Sequence, residues 1–394
     1  MKILMILQSP FPPDIRLEKE IQALNEKGFE VTLFCNQYDK TKLVSFPGCE
    51  IERVKALFDN QFLNKIFNFP VPFNPRFLFK LISTVKKVNS PIIHAHDLPM
   101  AIFGVIIKIL FGKIIVFDMH ENYPEALRAY KKKSLIERIL KNHRIALIIE
   151  KWVLKLSDII IVVTEENRDR LLEDGFSSSK IKIVSNTVDL NKFGKNDIPP
   201  DYFKEQYKNN FLITYTGRVS ANRGLLTAVR AMNYLKNENN VNYKLLIVGE
   251  GNYLNILKSE VEENSLQNFV EFVSWPGHEK VHAYMQISNI TIIPQPSNGH
   301  ADTTVPHKLF EYMSQGKKIL VSDSKPLKRI VEEIKCGEVF ESNNPEDFAN
   351  KVKVIKNSKI DYAQNGIIGV REKYNWKNDS KILIDIYDKL GRSK

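Results

Sequence analysis

At 394 residues, 43% hydrophobic and 26% charged, the chain is too long for one ordinary core and has the composition of a globular protein of two domains. Its three cysteines, Cys35, Cys49 and Cys336, are odd in number and far apart, which argues against a disulfide framework or a zinc site and fits a reducing cytoplasm. The net charge of +11 is unevenly placed: residues 76–156 hold 15 Lys/Arg against 6 Asp/Glu. That segment includes Lys131-Lys132-Lys133, a patch suited to anionic lipid headgroups or a lipid diphosphate acceptor. No basic-aromatic signature, zinc finger or leucine zipper accompanies it, so nucleic acid is not expected as a partner.

The N-terminus opens with a short apolar run before Pro10 and Pro12, a buried strand rather than a signal peptide. Strand and helix patterns then alternate, which points to α/β domains with parallel sheets. Strands are expected near 3–7, 31–35, 92–95, 114–117 and 159–163, with helices at 16–27, 76–88 and 134–156. Residues 98–117 are apolar over a length that spans a bilayer, but Lys108, Gly112 and Lys113 interrupt them. A buried helix over 100–111 followed by a strand accounts for the stretch, because charge at mid-bilayer depth is costly. Each strand runs into a polar or turn-forming segment, such as His96-Asp97-Leu98-Pro99 and Asp118-Met119-His120-Glu121. Ligands bind at the carboxyl ends of strands in open parallel sheets, so these loops form the candidate site of the first domain. Asp14 and Arg16 follow the first strand, as an acceptor contact or a helix cap. His120 is a candidate active-site imidazole, with Asp118 or Glu121 to orient it.

The first pattern closes over 183–189, and 195–200 is a polar, proline-bearing linker. The second half restarts with a strand at 212–215, with further strands near 244–248, 270–273, 290–293 and 318–321 and closing helices over 360–374 and 375–390. Arg218 and Arg223 lie between a strand and the helix opened by Gly224. Two guanidinium groups there suit a diphosphate without a metal, since Arg grips phosphate oxygens bidentately. Gly249-Glu250-Gly251 lacks the third glycine of a dinucleotide fingerprint, so a nicotinamide cofactor is not expected. Ser274 and Trp275 follow the next strand.

The most informative stretch runs from Asp302 to Gly316. Pro306 suits the first position of a helix, Leu309, Phe310 and Met313 share an apolar face, and Gly316 supplies a stop. The opposite face carries His307, Lys308 and Glu311. A helix opening in this way points N–H groups and a positive dipole end at phosphate. Glu311, one turn in, is placed to accept from two neighbouring hydroxyls such as those of a ribose. The alternative is a surface helix with Glu311 paired to Lys308.

The pattern Pro-x-Lys-Leu-Phe-Glu-Tyr-Met-x-x-Gly from Pro306 to Gly316, followed by a hydrophobic strand and Ser322-Asp323, resembles the nucleotide-sugar motif of the family 4 glycosyltransferases, retaining enzymes of the GT-B fold. Gly217-Arg218 with Arg223-Gly224, the segment around His120, Asp14-x-Arg16 and Asn186-x-Val188-Asp189 extend the resemblance over nearly the whole chain. Arg223 stands where the family has Lys. The resemblance implies two Rossmann-like doubly wound domains facing across a cleft: 1–190 for the acceptor, 191–375 for the nucleotide sugar, and a helix over 376–394 crossing back. It implies transfer of a sugar, with retention, from a UDP- or GDP-sugar to a glycan or lipid-linked acceptor in cell-surface polysaccharide or glycolipid assembly, with no metal or other cofactor.

Under the same resemblance Glu311 holds the ribose, and His120 meets the donor sugar or its phosphate. Arg218, Arg223 and the helix at Pro306 take the leaving diphosphate. Gly217, Gly249, Glu250, Ser274 and Lys308 line the nucleotide, and Asp302, Thr303 and Thr304 face the sugar. The family has a second Glu eight residues before the first, where this chain has Thr303; a neutral hydroxyl replaces a carboxylate. A nucleotide-sugar epimerase or phosphorylase of the same fold, or an inactive nucleotide-sugar-binding subunit that supports a partner transferase, are the other readings. No Asp-x-Asp pair, Walker A loop or nucleophile elbow is present in the sequence.

Overall fold

The computed structural model describes residues 1–37, 44–55, 74–129, 138, 141–191, 201–238 and 241–392. The Lys131-Lys132-Lys133 run and the linker expected at 195–200 lie outside the described residues. The chain divides into two compact units, Met1–Asn186 with Lys377–Lys394, and Thr187–Trp376.

In chain order the first unit comprises β1 (Lys2–Leu7), α1 (Ile15–Glu26), β2 (Glu30–Gln37), β3 (Cys49–Lys55), α2 (Pro75–Val88), β4 (Ile92–His96) and α3 (Asp97–Phe111). It continues with β5 (Ile114–Met119), α4 (Tyr123–Ala129), α5 (His143–Leu156), β6 (Ile159–Val162), α6 (Glu165–Glu173) and β7 (Ile181–Ile183). The strands form one parallel sheet in the order β3-β2-β1-β4-β5-β6-β7. Its central strands are covered on both faces, so β1 and β6 read as unbroken apolar runs rather than alternating ones. Leu4, Ile6, Phe34, Ile93, Phe103 and Phe117 sit in the core between sheet and helices. The apolar stretch 98–117 is α3, buried from Leu98 to Val105 and at Ile107 with its last turn turned outward, then a left-handed Gly112 and β5. Among the described residues no helix is long and apolar enough to cross a membrane. The helix expected over 134–156 opens at His143, where the Asn142 side chain caps it by accepting from the Arg144 N–H.

The second unit holds α7 (Asp201–Tyr207), β8 (Phe211–Thr216), a 3₁₀ turn (Ala221–Arg223), α8 (Leu225–Leu235), β9 (Tyr243–Val248), α9 (Leu254–Glu263), β10 (Val270–Val273), α10 (His278–Ile287) and β11 (Ile290–Ile293). After these come α11 (Lys308–Ser314), β12 (Lys318–Ser322), α12 (Lys325–Ile334), β13 (Gly337–Phe340), α13 (Pro345–Asn357) and α14 (Tyr362–Glu372). Its parallel sheet runs β10-β9-β8-β11-β12-β13. The last helix, α15 (Trp376–Arg392), falls with the first unit from Lys377 onward.

Both sheets are Rossmann-like. The strand order reverses between β1 and β4 in the first and between β8 and β11 in the second. Ligands of such sheets sit outside the carboxyl ends of the strands at that reversal. The loops that follow β1, β4, β5, β8 and β11 are therefore the ones whose side chains matter.

Candidate active site

In the second unit the loop after β8 is built by backbone packing. Gly249 has φ +151, and a Cβ there would lie 1.9 Å from the Gly217 carbonyl oxygen. The close approach that glycine permits at 249 is thus, within the unit, to the Gly217 loop. Gly224 does the same across the sheet reversal: its φ is +69 and an added Cβ would meet the Pro294 carbonyl oxygen at 1.7 Å. The Arg218–Arg223 loop is pinned on both sides.

Three cations gather on this frame. Arg218 is exposed. Arg223 donates from Nη1 to Gln295 Oε1 at 2.9 Å, while its buried Nε–H has no hydrogen-bond partner. Lys308 arrives from α11; its Nζ donates to the Thr216 carbonyl at 2.6 Å and lies 3.9 Å above the centre of the Tyr215 ring. Burial, with Arg223 nearby, pushes the Lys308 ammonium down to about 7. Among the described residues no carboxylate lies within ion-pair distance of any of the three.

α11 opens two residues later than expected, at Lys308 rather than Pro306. The Leu309 N–H donates to the Pro306 carbonyl and the Phe310 N–H to that of His307, both at 3.0 Å. The turn before the helix thus satisfies the Leu309 and Phe310 N–H groups, which are not free for phosphate. Leu309, Phe310, Tyr312 and Met313 are buried, and the Tyr312 hydroxyl bonds Thr216 Oγ1 at 3.0 Å, which fixes α11 against β8. Glu311 does not pair with Lys308. Its Oε1 lies 3.0 Å from His307 Nδ1; burial works against the charge, but His307 holds the carboxyl below its ordinary range.

The neighbouring loop binds mostly to itself. Thr303 Oγ1 donates to the Gly299 and His300 carbonyls at 3.0 and 3.1 Å, and Thr304 Oγ1 to His300 at 3.0 Å. Asp302 accepts from Ser297 Oγ and from the Lys325 N–H. Glu250 Oε1 accepts from the Trp275 N–H at 3.3 Å. Ser274 and Trp275 are exposed, Trp275 by 40%, which is not the burial of a packing residue.

The first unit places His120 in a buried polar cluster. Its Nε2 lies 3.0 Å from Asp118 Oδ2 and 3.1 Å from His96 Nδ1, and its Nδ1 is 3.6 Å from Asp97 Oδ2. Burial disfavours the imidazolium, but Asp97 and Asp118 outweigh it and raise the group to about 9. Asp97 sits in the left-handed region, φ +64, and accepts from the His120 N–H at 3.2 Å. Backbone strain of this kind persists where the surroundings enforce it, often at functional sites. Arg16, expected as an acceptor contact or a helix cap, is turned inward. It is 4% exposed and donates to Asp118 through Nη2 at 2.8 Å and to the Val184 carbonyl at 3.1 Å. Asp14 caps α1, its carboxylate accepting from the Leu17 N–H at 3.1 Å.

Comparison with known proteins adds to this geometry. A family model of the glycosyl transferases group 1 matches residues 200–368, and one of Glycosyltransferase Family 4 matches residues 17–192. The chain belongs with the group 1 glycosyltransferases. An uncharacterised glycosyltransferase of Methanocaldococcus jannaschii is 23% identical over 92% of this chain and 87% of its own length. A GDP-mannose:cellobiosyl-diphosphopolyprenol alpha-mannosyltransferase of Xanthomonas oryzae pv. oryzae is 23% identical over 77% of this chain and 75% of its own. Among solved structures, a sucrose-phosphate synthase of Thermosynechococcus elongatus superposes with a TM-score of 0.80 at 18% identity, both chains covered in full. HepE of Anabaena, in complex with UDP and glucose, gives 0.73 at 17%, again in full. The fold is GT-B.

Three further residues of this glycosyltransferase, His94, Tyr387 and Glu20, were not picked out from its sequence. His94 stacks on His96 at 4.3 Å and shares a 2.6 Å hydrogen bond with the Tyr387 hydroxyl of α15. Glu20 lies 3.0 Å from Arg16 Nε, completely buried. The available signal was His94-Ala95-His96, two polar residues on one face of a strand otherwise apolar. Glu20, His94, His96 and Asp118 offer donor atoms all within 4.8 Å of one another, a set of the kind that binds metal. Arg16 already faces both carboxylates and stands as the cation of that set.

Proposed function

We propose that this glycosyltransferase moves a sugar from a UDP- or GDP-sugar to a glycan or lipid-linked acceptor, with retention at the anomeric carbon and without a metal. The observation that carries the reading is the trio Arg218, Arg223 and Lys308, held at the end of β8 with, among the described residues, no carboxylate within ion-pair distance. Uncompensated positive charge in a partly buried loop is costly, and a diphosphate relieves it. The same preorganised donors stabilise the charge that grows on the leaving diphosphate in a front-face displacement. A phosphate oxygen of the donor takes the acceptor's proton. Glu311, ionised and steadied by His307, accepts from the ribose hydroxyls. His120, cationic at neutral pH, serves the sugar end of the donor.

The names of the Xanthomonas relative and of the HepE complex support a nucleotide-sugar donor, and the former a lipid diphosphate acceptor. The reaction belongs to polysaccharide or glycolipid assembly, on the cytoplasmic face of a membrane. Titration calorimetry with UDP and with GDP in EDTA, beside Glu311→Ala, tests the donor site. Binding that survives chelation and weakens about 10–100-fold in the variant is expected for a charged hydrogen bond. Loss of binding in EDTA removes the metal-free part, and an inverted product anomer in the NMR spectrum removes retention. Thr303 favours one second reading, an inactive nucleotide-sugar-binding subunit, since its hydroxyl is engaged within its own loop. Nucleotide affinity with no turnover of any donor would establish that reading.

A further inference from the structure

The carboxyl ends of β4 and β5 hold more polar groups than the single imidazole of His120 requires. His94, His96 and Asp118 are completely buried there, and the last helix of the chain reaches them. α15 turns Asp379, Leu383, Ile386 and Tyr387 inward, the i, i+4, i+7, i+8 stripe of a packed helix. Leu383 and Ile386 supply apolar packing, and the Tyr387 ring lies 5.8 Å from that of Phe29. A phenylalanine would fill the same space. The hydroxyl is a separate matter, because a buried polar group costs free energy unless it is bonded. Among the described residues it has one hydrogen bond, that to His94 Nδ1 at 2.6 Å.

The direction of that bond follows from its surroundings. Burial, with Glu20 and Asp118 nearby, holds the Tyr387 phenol well above its ordinary 10, so the oxygen keeps its proton. The O–H therefore donates to Nδ1, and the ring proton of His94 sits on Nε2. Nε2 has no nearer partner and lies 3.6 Å from Asp118 Oδ2, so its N–H faces the carboxylate. The opposite tautomer would turn a lone pair toward Asp118 and leave the phenol proton bonded to nothing. Burial and the adjacent His94 hold His96 well below the ordinary imidazole range, so it is uncharged. It stacks on His94 at 4.3 Å and offers Nδ1 to His120 Nε2 at 3.1 Å. Asp118 Oδ2 offers a second acceptor to the same nitrogen at 3.0 Å. Both acceptors that aim His120 thus rest against His94.

We propose that Tyr387 is a positioning residue for His120: through His94 it fixes Asp118 and His96, the two groups that orient the imidazole. Tyr387 itself touches no substrate. A side chain is held in working geometry by the hydrogen-bonded groups behind it, and here the outermost of them comes from the C-terminal helix. The kinetic consequence rests on the transfer reading; the order of the rings does not.

The test starts with long-range ¹H–¹⁵N NMR spectra of the free, full-length protein, which read the ring nitrogens of His94 and His120. Wild type is expected to show His94 protonated at Nε2, a result that needs no variant. Tyr387→Phe is expected to move the Nδ1 resonance of His94, as its hydrogen bond is lost, and the resonances of His120 with it. Leu383→Ala loosens the same helix without touching the hydrogen bonds and is expected to leave both in place. In transfer assays Tyr387→Phe is expected to lower kcat at least about tenfold, comparable to losing the outer hydrogen-bond partner of a metal-ligating histidine. KM for the nucleotide sugar is expected to stay, as it does when an interaction made only in the transition state is removed. His94 protonated at Nδ1 in the wild type overturns the proposal, as do His120 resonances unmoved in Tyr387→Phe. Leu383→Ala matching Tyr387→Phe in spectrum and kcat overturns it equally, since Tyr387 would then be ordinary helix packing. A wild type that transfers no sugar from any donor removes the transfer reading, and the His94 and His120 resonances then decide the positioning alone.

Discussion

Arg16 and Asp118 stand 102 residues apart in the chain and meet as a fork, Arg16 Nη2 lying 2.8 Å from Oδ1 and 3.1 Å from Oδ2. The pair ties the first turn of α1 to the end of β5, across the reversal of the sheet. Asp118 in turn holds His120. Replacing Arg16 by Met would leave Glu20 buried without its cation and Asp118 with the His120 imidazolium alone. Removing one partner of a buried ion pair costs about 3–5 kcal/mol. Arg16→Met is expected to lose stability on that scale in urea unfolding, and a loss under about 1 kcal/mol would show that the pair is not what holds this end of the sheet.

The charge on His120 sets a pH window. Its folded value of about 9 lies above the ordinary 6.5, so between these limits the folded chain keeps a proton that the unfolded chain gives up. Its contribution to stability is complete below about 6.5 and is lost as pH rises through 9. Any step that uses the imidazolium fades over the same upper limb. Asp118→Asn removes one of the two carboxylates that raise the value, and is expected to shift the His120 titration, followed by NMR, toward 6.5. An unchanged midpoint would assign the shift to Asp97 alone.

Much of this architecture was legible because parallel strands covered on both faces are written as unbroken apolar runs, as at Ile3-Leu4-Met5-Ile6-Leu7 and Ile159-Ile160-Ile161-Val162. The edge strand β3 was not legible. Its sequence, Cys-Glu-Ile-Glu-Arg-Val-Lys, is half charged because one side of an edge strand faces water. The helix start at Pro306 was misplaced by two residues because proline fixes φ but says nothing of the Pro306 and His307 carbonyls that close a turn first. Arg16 was seen as polar and next to a strand end; only its long-range partner Asp118 reveals that it is buried. The same holds for His94, whose partner Tyr387 lies 293 residues away. Such pairings are tertiary, and residue type and spacing alone do not disclose them.

Gly249 tests whether the Arg218–Arg223 loop depends on backbone packing. Alanine there would have to adopt a φ of +151, and its Cβ would sit 1.9 Å from the Gly217 carbonyl oxygen. Neither loop can keep its place, and strain of this type costs about 1–3 kcal/mol per residue. Gly249→Ala is expected to lower the melting temperature and weaken UDP or GDP binding together, because the loop it displaces carries the cations. A variant with wild-type nucleotide affinity would separate the loop from the donor site.

Thr303 is where this chain departs most from the motif it otherwise matches. Its hydroxyl sits between the Gly299 and His300 carbonyls, 7% exposed as a residue, and so braces the loop that also holds Asp302 and Thr304. Removing it as Thr303→Ala is expected to cost about 1 kcal/mol of stability, the ordinary value of such a bond. The kinetic effect is the more telling one. A loop loosened beside α11 changes which sugar is held while Glu311 and the three cations continue to hold the nucleotide. Relative kcat/KM among UDP- and GDP-sugars is therefore expected to shift several-fold, about 1 kcal/mol of discrimination, with the Kd for the free nucleotide unchanged. Equal kinetics across all donors would exclude Thr303 from sugar selection and leave it a structural brace.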